Sequence, residues 1–292
     1  MISTSLFIYT ETSLHAGVGS TVSIVDLPIQ RERTTQFPIV QGSGIKGALR
    51  SQVADGENKQ SAVEAVFGAD TKNNNKFAGA ISVGDARIVL FPVRSLAGVF
   101  AYITCPTVLA RVGRDVPVFP RQTLDVGVED ALVSSKTTIA ASNRVVLEEF
   151  SFIAQPNQAV DQIANWFAEN ALPQADEYDY WRRKLRTSLV VLHDDAFRDF
   201  VQNSTEIVTR VWLDSAKKTV VEGALWTQEM LPSDTLLIST IIARSTRDGE
   251  QTAPEAVVGW LQDVNNIPAR IQLGGDETTG QGMVALRWHG GA

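Results

Sequence analysis

Residues 235–289 read TLLISTIIARSTRDGEQTAPEAVVGWLQDVNNIPARIQLGGDETTGQGMVALRWH, and the order of elements in this stretch decides the fold. TLLISTIIA is rich in β-branched residues, PEAVVGWLQDVNN has apolar residues at helical spacing, and RIQLGG and MVALRWH are extended runs on either side of a glycine loop. The C-terminal third is therefore β-α-β. Residues 2–12 at the other end put Leu6 and Ile8 on one face and Phe7 and Tyr9 on the other, which predicts a strand in the middle of a sheet. GSGIKGALRSQVA (42–54) reads as a glycine turn entering a helix, with Ile45, Leu49 and Val53 on one face. Residues 77–104 read as two strands, FAGAISVGDARIVLF and VFAYIT, joined near residues 94–98 as a hairpin beside the first strand. Two β-α-β halves predict an α+β fold with an RRM-like (ferredoxin-like) core, formed mainly by residues 1–110 and 233–292 of a single domain spanning 1–292.

The intervening residues, mainly 111–232, read as large insertions. They contain a polar stretch at 111–142, a strand RVVLEEFSFIA, and a helix with Val160, Ile163, Ala164 and Phe167 on one face. Two further runs, EIVTRVWLD and TVVEGALW, flank a turn at residues 215–218 and predict a protruding β-hairpin.

Composition narrows the class. Apolar residues make up 44% and charged residues 20% of the 292, the proportions of an ordinary globular protein. The single cysteine, Cys105, excludes an intrachain disulfide and a Cys-cluster zinc site. No apolar run approaches the roughly 20 residues of a membrane span, and MISTSLFIYTET lacks a cationic leader, so a cytoplasmic protein is expected. Lys plus Arg total 26 against 33 Asp plus Glu, a formal charge of −7. A nucleic-acid role would therefore need a local basic surface.

Three clusters carry chemistry. In LGGDETTGQG (273–282), Gly274, Gly275, Gly280 and Gly282 surround Asp276 and Glu277; such a loop serves either as a tight turn or as a backbone nest for phosphate oxygens. It is neither a Walker loop nor a dinucleotide fingerprint. In GSGIKGALR, Lys46 and Arg50 lie four apart on one helix side behind the Gly42-Ser43-Gly44 entrance, an arrangement open to a phosphate strand or simply to solvent. The third cluster joins His15, in SLHAGVGS, to Asp26 in VDLPIQRE; an extended backbone before Pro28 lets Asp26 project, as a turn residue or as a carboxylate that holds a divalent metal or a 2'-hydroxyl. Neither GxSxG nor HExxH occurs, so serine-hydrolase and zinc-protease readings lack support.

Taken in order, SLHAGVGS, IVDLPIQRE, FPIVQGSGIKGALR, TRVWLD with TVVEGALWTQEMLP, and LGGDETTGQG resemble the RAMP superfamily of CRISPR proteins, and within it the backbone subunits of type III-B effector complexes. These motifs span residues 13–282. The resemblance implies copies stacked head to tail on a guide RNA, joined by other type III-B subunits, with the hairpin as a thumb wedged into the duplex of guide and target RNA and cleavage of the target at regular intervals. It implies that Asp26 is the catalytic carboxylate, acting through magnesium, that His15 supports it, and that an acid of the thumb segment, Glu222 or Glu229, takes part. Lys46, Arg50, Gly42, Ser43 and Gly44 fall at RNA-contacting positions, as do Gly274, Gly275, Gly280 and Gly282. A non-cleaving scaffold of the superfamily, a guide-processing endoribonuclease and a protein-interaction module are the competing readings.

Overall fold

Strand β1 (Ile2–Thr10) alternates two apolar sets, and the computed structural model buries both: Leu6 and Ile8 on one face, Phe7 and Tyr9 on the other. The structure describes the chain apart from residues 21–23, 54–58, 70–76, 215, 218 and 291–292 and the side chains of 220–223. Beyond β1 come β2 (Ile39–Val40), α1 (Gly42–Ser51), α2 (Gln60–Phe67), β3 (Ile81–Val83), β4 (Ala86–Arg94), β5 (Phe100–Thr104) and α3 (Pro106–Asp115). Then follow β6 (Asp130–Val133), β7 (Ala140–Ala141), β8 (Arg144–Leu147), β9 (Phe150–Pro156), α4 (Gln158–Asn170), α5 (Asp179–Ser188), β10 (Leu189–Leu192) and α6 (Asp194–Asn203). The chain ends with β11 (Glu206–Leu213), β12 (Val220–Met230), β13 (Leu236–Ala243), α7 (Pro254–Gln262), β14 (Arg270–Gln272) and β15 (Met283–His289).

The result is a mixed α/β fold on a 13-stranded sheet whose main path runs β14-β15-β1-β13-β4-β5-β10-β6-β9-β8-β7. β1 lies between β13 and β15 and is antiparallel to both. β4 carries the ladder across: Arg87, Ile88 and Leu90 pair with β13, and residues 91–94 pair with β5. Each face is covered. Leu6 and Ile8 share one apolar layer with Ile45 and Leu49 of α1, Val66 of α2, Phe197 of α6 and Leu261 of α7; Phe7 and Tyr9 share the other with Val112 of α3, Ile163 and Phe167 of α4 and Leu185 of α5. Each fully buried Leu, Ile or Phe contributes about 1.5–3 kcal/mol, so both layers are needed to hold so wide a sheet. β11 and β12 form a separate two-stranded sheet.

Several readings need correction. The hairpin of β4 and β5 does not lie beside β1, because β13 is interposed. FAGAISVGDARIVLF divides into β3 and β4 at Gly84 and Asp85, and RVVLEEFSFIA is the hairpin β8–β9, which reverses at Glu148, where φ is +49°. The polar stretch 111–142 holds the end of α3 together with β6 and β7, and α2, α5, β10 and α6 are further elements. Among the described residues no helix is long and apolar enough to cross a membrane.

Candidate active site

One edge of β12 is taken by β11, and the other receives two pieces of the N-terminal third. Leu14 and Leu231 exchange backbone hydrogen bonds at 2.8 Å, the Leu27 N–H donates to the Thr227 carbonyl (3.0 Å), and the Glu229 N–H donates to the Leu27 carbonyl (2.9 Å). The stitching brings His15 and Asp26 to neighbouring stations on one strand.

Asp26 is exposed. Its Oδ2 accepts from the Thr227 N–H (2.7 Å) and the Thr227 hydroxyl (2.9 Å), and that hydroxyl accepts from the Asp26 N–H at 3.0 Å. Among the described residues no hydrogen bond from another residue reaches Oδ1. The Thr227 amide first, then its hydroxyl, holds the carboxyl below the usual carboxylate range, so Asp26 is ionised at neutral pH.

His15 is half-buried, and its Nδ1 lies 2.8 Å from the Glu229 carbonyl oxygen. A carbonyl only accepts, so Nδ1 carries the proton and Nε2 is the acceptor of the neutral ring. The ring lies between Gly17, against Nε2, and Gly275, against Cδ2. Glu229 turns its carboxylate inward: Oε1 accepts from Arg31 Nη2 (2.5 Å) and the Thr205 hydroxyl (2.8 Å), and Oε2 accepts from the Ile29 N–H (3.0 Å). Arg31 also donates to the Gln36 and Val201 carbonyls, both at 2.9 Å. Glu229 thereby fixes the segment that carries Asp26 instead of facing solvent. Glu222 lies on β12, but its side chain is outside the described residues.

The glycine loop closes the third side. The Gly275 N–H donates to the His15 carbonyl (3.0 Å) and the Gly282 N–H to the Ser13 carbonyl (2.9 Å). Gly274 and Gly282 take φ of +84° and +74°, and a Cβ would drive the first into the His15 carbonyl and the second into the Leu273 carbonyl. Close approach and backbone sign both require glycine at these two positions. The loop thus grips residues 13–15 with N–H groups that a phosphate nest would otherwise use, whereas Gly280 stands in open space. Asp276 ties the loop to the hairpin, its Oδ2 accepting from Gln228 (2.6 Å) and lying 3.4 Å from Arg210.

Gly42, Ser43 and Gly44 open α1, where the Gly42 N–H donates to Asp85 (2.8 Å) while Ser43 and Gly44 are exposed. Lys46 Nζ is 3.4 Å from the Ile81 carbonyl, and Arg50 donates to the Gly68 carbonyl at 2.9 Å. Burial, and secondarily the Arg50 charge, pull the Lys46 ammonium below its ordinary value. Among the described residues neither cation pairs with an acid.

The sheet face that an RRM uses to stack bases is closed here. Phe7 packs on Trp166 of α4 at 6.1 Å and Tyr9 on Tyr178 at 6.4 Å, so RNA has no access to the β1 aromatics. For a metal, no group of three His, Cys, Asp or Glu exists among the described residues. The free Oδ1 of Asp26 suits the habit of magnesium, which takes one or two carboxylates and completes its shell with water and substrate phosphate. Thr227, Thr205, Arg210 and the inward role of Asp276 escaped the sequence reading. Thr227 alone left a signal there, two residues before Glu229 in a strand.

The chain belongs to the RAMP superfamily, whose family model matches residues 7–285. More particularly, the chain is 37% identical over 285 residues, 96% of its length and 93% of the relative's, to the CRISPR system Cmr endoribonuclease Cmr4 of Pyrococcus furiosus. It is 27% identical over 305 residues to the CRISPR system CMR subunit Cmr4 of Saccharolobus solfataricus, covering 97% of this chain and 95% of that one. The crystal structure of oligomeric Cmr4 from Pyrococcus furiosus matches 99% of each chain with a TM-score of 0.72 at 30% identity. A chain of the type III-B Cmr-beta complex bound to cognate target RNA shares the fold, with a TM-score of 0.75 at 22% identity over 99% of this chain and 97% of that one.

Proposed function

We propose that this chain is a backbone subunit of a type III-B CRISPR ribonucleoprotein, working in the cytoplasm, that binds guide RNA as a repeating filament with other type III-B subunits and cleaves complementary target RNA at regular intervals. The observation that carries the reading is the exposed Asp26 carboxylate, held through one oxygen at the junction of the His15 loop, the glycine loop and the hairpin base. Full-length identity of 37% to a relative named an endoribonuclease, and likeness to a Cmr4 crystallised as an oligomer, support the activity and the self-assembly.

The core is read as RRM-like and the chain as one RAMP domain. Supporting this, β15-β1-β13-β4 stand in the order 4-1-3-2 of the ferredoxin-like plan, all antiparallel, with α1 and α7 as their crossovers on one face. The hairpin is read as the thumb. Trp212 and Leu225 are 68% and 64% exposed on it, and apolar side chains left in water on a projecting element mark a contact surface.

Cleavage by this site is positional and electrostatic. Base pairing selects the target, Lys46 and Arg50 hold guide phosphates, and the hairpin distorts the duplex so that one linkage reaches in-line geometry for its neighbouring 2'-hydroxyl. His15 Nε2 is the acceptor offered to that hydroxyl's proton, water protonates the departing 5'-oxygen, and Asp26 Oδ1 is left to hold the metal. Magnesium bound at Asp26 would neutralise charge on the scissile phosphate.

The test is the complex reconstituted with guide RNA and Asp26→Asn in place of the parent subunit. Assembly and target binding should persist while cutting at every interval disappears. Undiminished cutting would return Asp26 to the status of a turn residue and favour another site.

A further inference from the structure

We propose that Thr227 is the positioning residue of the cleavage site, holding Asp26 by one oxygen so that the other faces the RNA. The proposal rests on reading Asp26 as the cleavage carboxylate. Four hydrogen bonds join residues 26–27 to this one residue: the Thr227 N–H and hydroxyl donate to Asp26 Oδ2 (2.7 and 2.9 Å), the Asp26 N–H donates back to the hydroxyl (3.0 Å), and the Leu27 N–H donates to the Thr227 carbonyl (3.0 Å).

The geometry is that of a clamp rather than of a packing contact. An exposed aspartate ordinarily samples several rotamers, and losing that freedom must be offset by bonds made to one rotamer. Two donors on a single oxygen remove the rotation that would exchange Oδ1 for Oδ2. The hydroxyl is the only side-chain group that Thr227 brings to the clamp, and it both donates and accepts. Valine at position 227 has the same shape and neither function; serine has both. Three other groups bring the rest of the site to the same strand, since the Glu229 carbonyl takes the His15 ring and the Glu229 carboxylate takes the Ile29 N–H and Arg31. The Thr227 hydroxyl is therefore the group whose removal alters the carboxylate while the backbone stitching of residues 26–29 remains.

The experiment uses the reconstituted complex with guide RNA and compares the parent with Thr227→Val, Thr227→Ser and Asp26→Asn, measuring single-turnover cleavage of a complementary RNA and, separately, the Kd for that RNA. A carboxylate displaced by about an ångström predicts a cleavage rate about 10- to 100-fold lower in Thr227→Val. The Kd should stay that of the parent, and Thr227→Ser should recover most of the rate. If Asp26→Asn abolishes cutting while Thr227→Val cuts at the parental rate, the clamp is wrong and the site stands. Loss of target affinity in proportion to rate, or failure of serine to recover it, would make Thr227 a merely structural residue and overturn the proposal. Parental cutting by Asp26→Asn removes the reading beneath it. If Thr227→Val does not assemble, Thr227→Ala carries the same comparison against Thr227→Ser.

Discussion

Glu229 carries a carboxylate into a place water hardly reaches, with 7% of its side chain exposed and three donors around it. Removing it strands the Arg31 guanidinium and the Ile29 N–H. We expect Glu229→Ala to lose about 3–5 kcal/mol of stability, the cost of an uncompensated buried charge. Glu229→Gln retains an acceptor and should lose about 1–3 kcal/mol. Urea denaturation of the isolated chain distinguishes them, and equal midpoints for Glu229→Ala and the parent would show that the pair is not buried in solution. A carboxylate that held a reacting proton would make Gln as harmful to cleavage as Ala; one that holds chain makes Gln the milder change. The sequence offers two acids for the thumb, Glu222 and Glu229, and it has no means to say that one of them points inward. That depends on where Arg31 and Thr205, 198 and 24 residues away, are brought by the fold.

At the scale of elements, a two-stranded hairpin exposed along most of β11 is at best marginally stable alone. β11 and β12 persist because their base is tied on two sides, by residues 14 and 27 along the free edge of β12 and by Asp276 from the glycine loop. Asp276 itself takes φ of +63°, a conformation Asp tolerates better than most residues. Asp276→Ala removes the acceptor for Gln228 and Arg210. We expect amide exchange in β11–β12 and residues 13–17 to quicken roughly fivefold, the equivalent of about 1 kcal/mol, while β1 and β13 keep their protection. Uniform exchange change across the chain would instead mean that the tether serves global stability. The hairpin was legible because β-branched runs flank a turn. The β8–β9 reversal was not, since Glu148 and Glu149 carry no glycine or proline to punctuate it. α3 did leave its signal, Pro106 at the first turn with Val108, Leu109 and Val112 behind it, but it straddles residue 111, where the polar stretch begins.

For the molecule as a whole, a formal charge of −7 coexists with Lys46 and Arg50, which have no acidic partner among the described residues. RNA affinity carried by a few local phosphate contacts would fall with salt in proportion to their number. Each single-strand phosphate contact contributes about 0.7 to the slope of log K against log salt. Lys46→Ala should lower that slope for guide RNA by about this amount and weaken binding similarly for unrelated guide sequences. A sequence-dependent loss with an unchanged slope would show that Lys46 reads bases.

The same scale separates what the linear chain determines from what needs three dimensions. Local pattern set β1, α1, α4, the hairpin and the β-α-β of the last third, because period 2, period 3.6 and turn residues act over a few positions. The short motifs that resemble the RAMP superfamily also named His15, Asp26 and the glycine loop as candidates. The pairing of β13 between β1 and β4, the closing of the second sheet face by α4 and α5, the inward turn of Glu229 and the hold of Thr227 on Asp26 were decided only by tertiary structure. Each joins residues far apart in sequence, and such contacts depend on which surfaces remain to be buried once the local elements have formed.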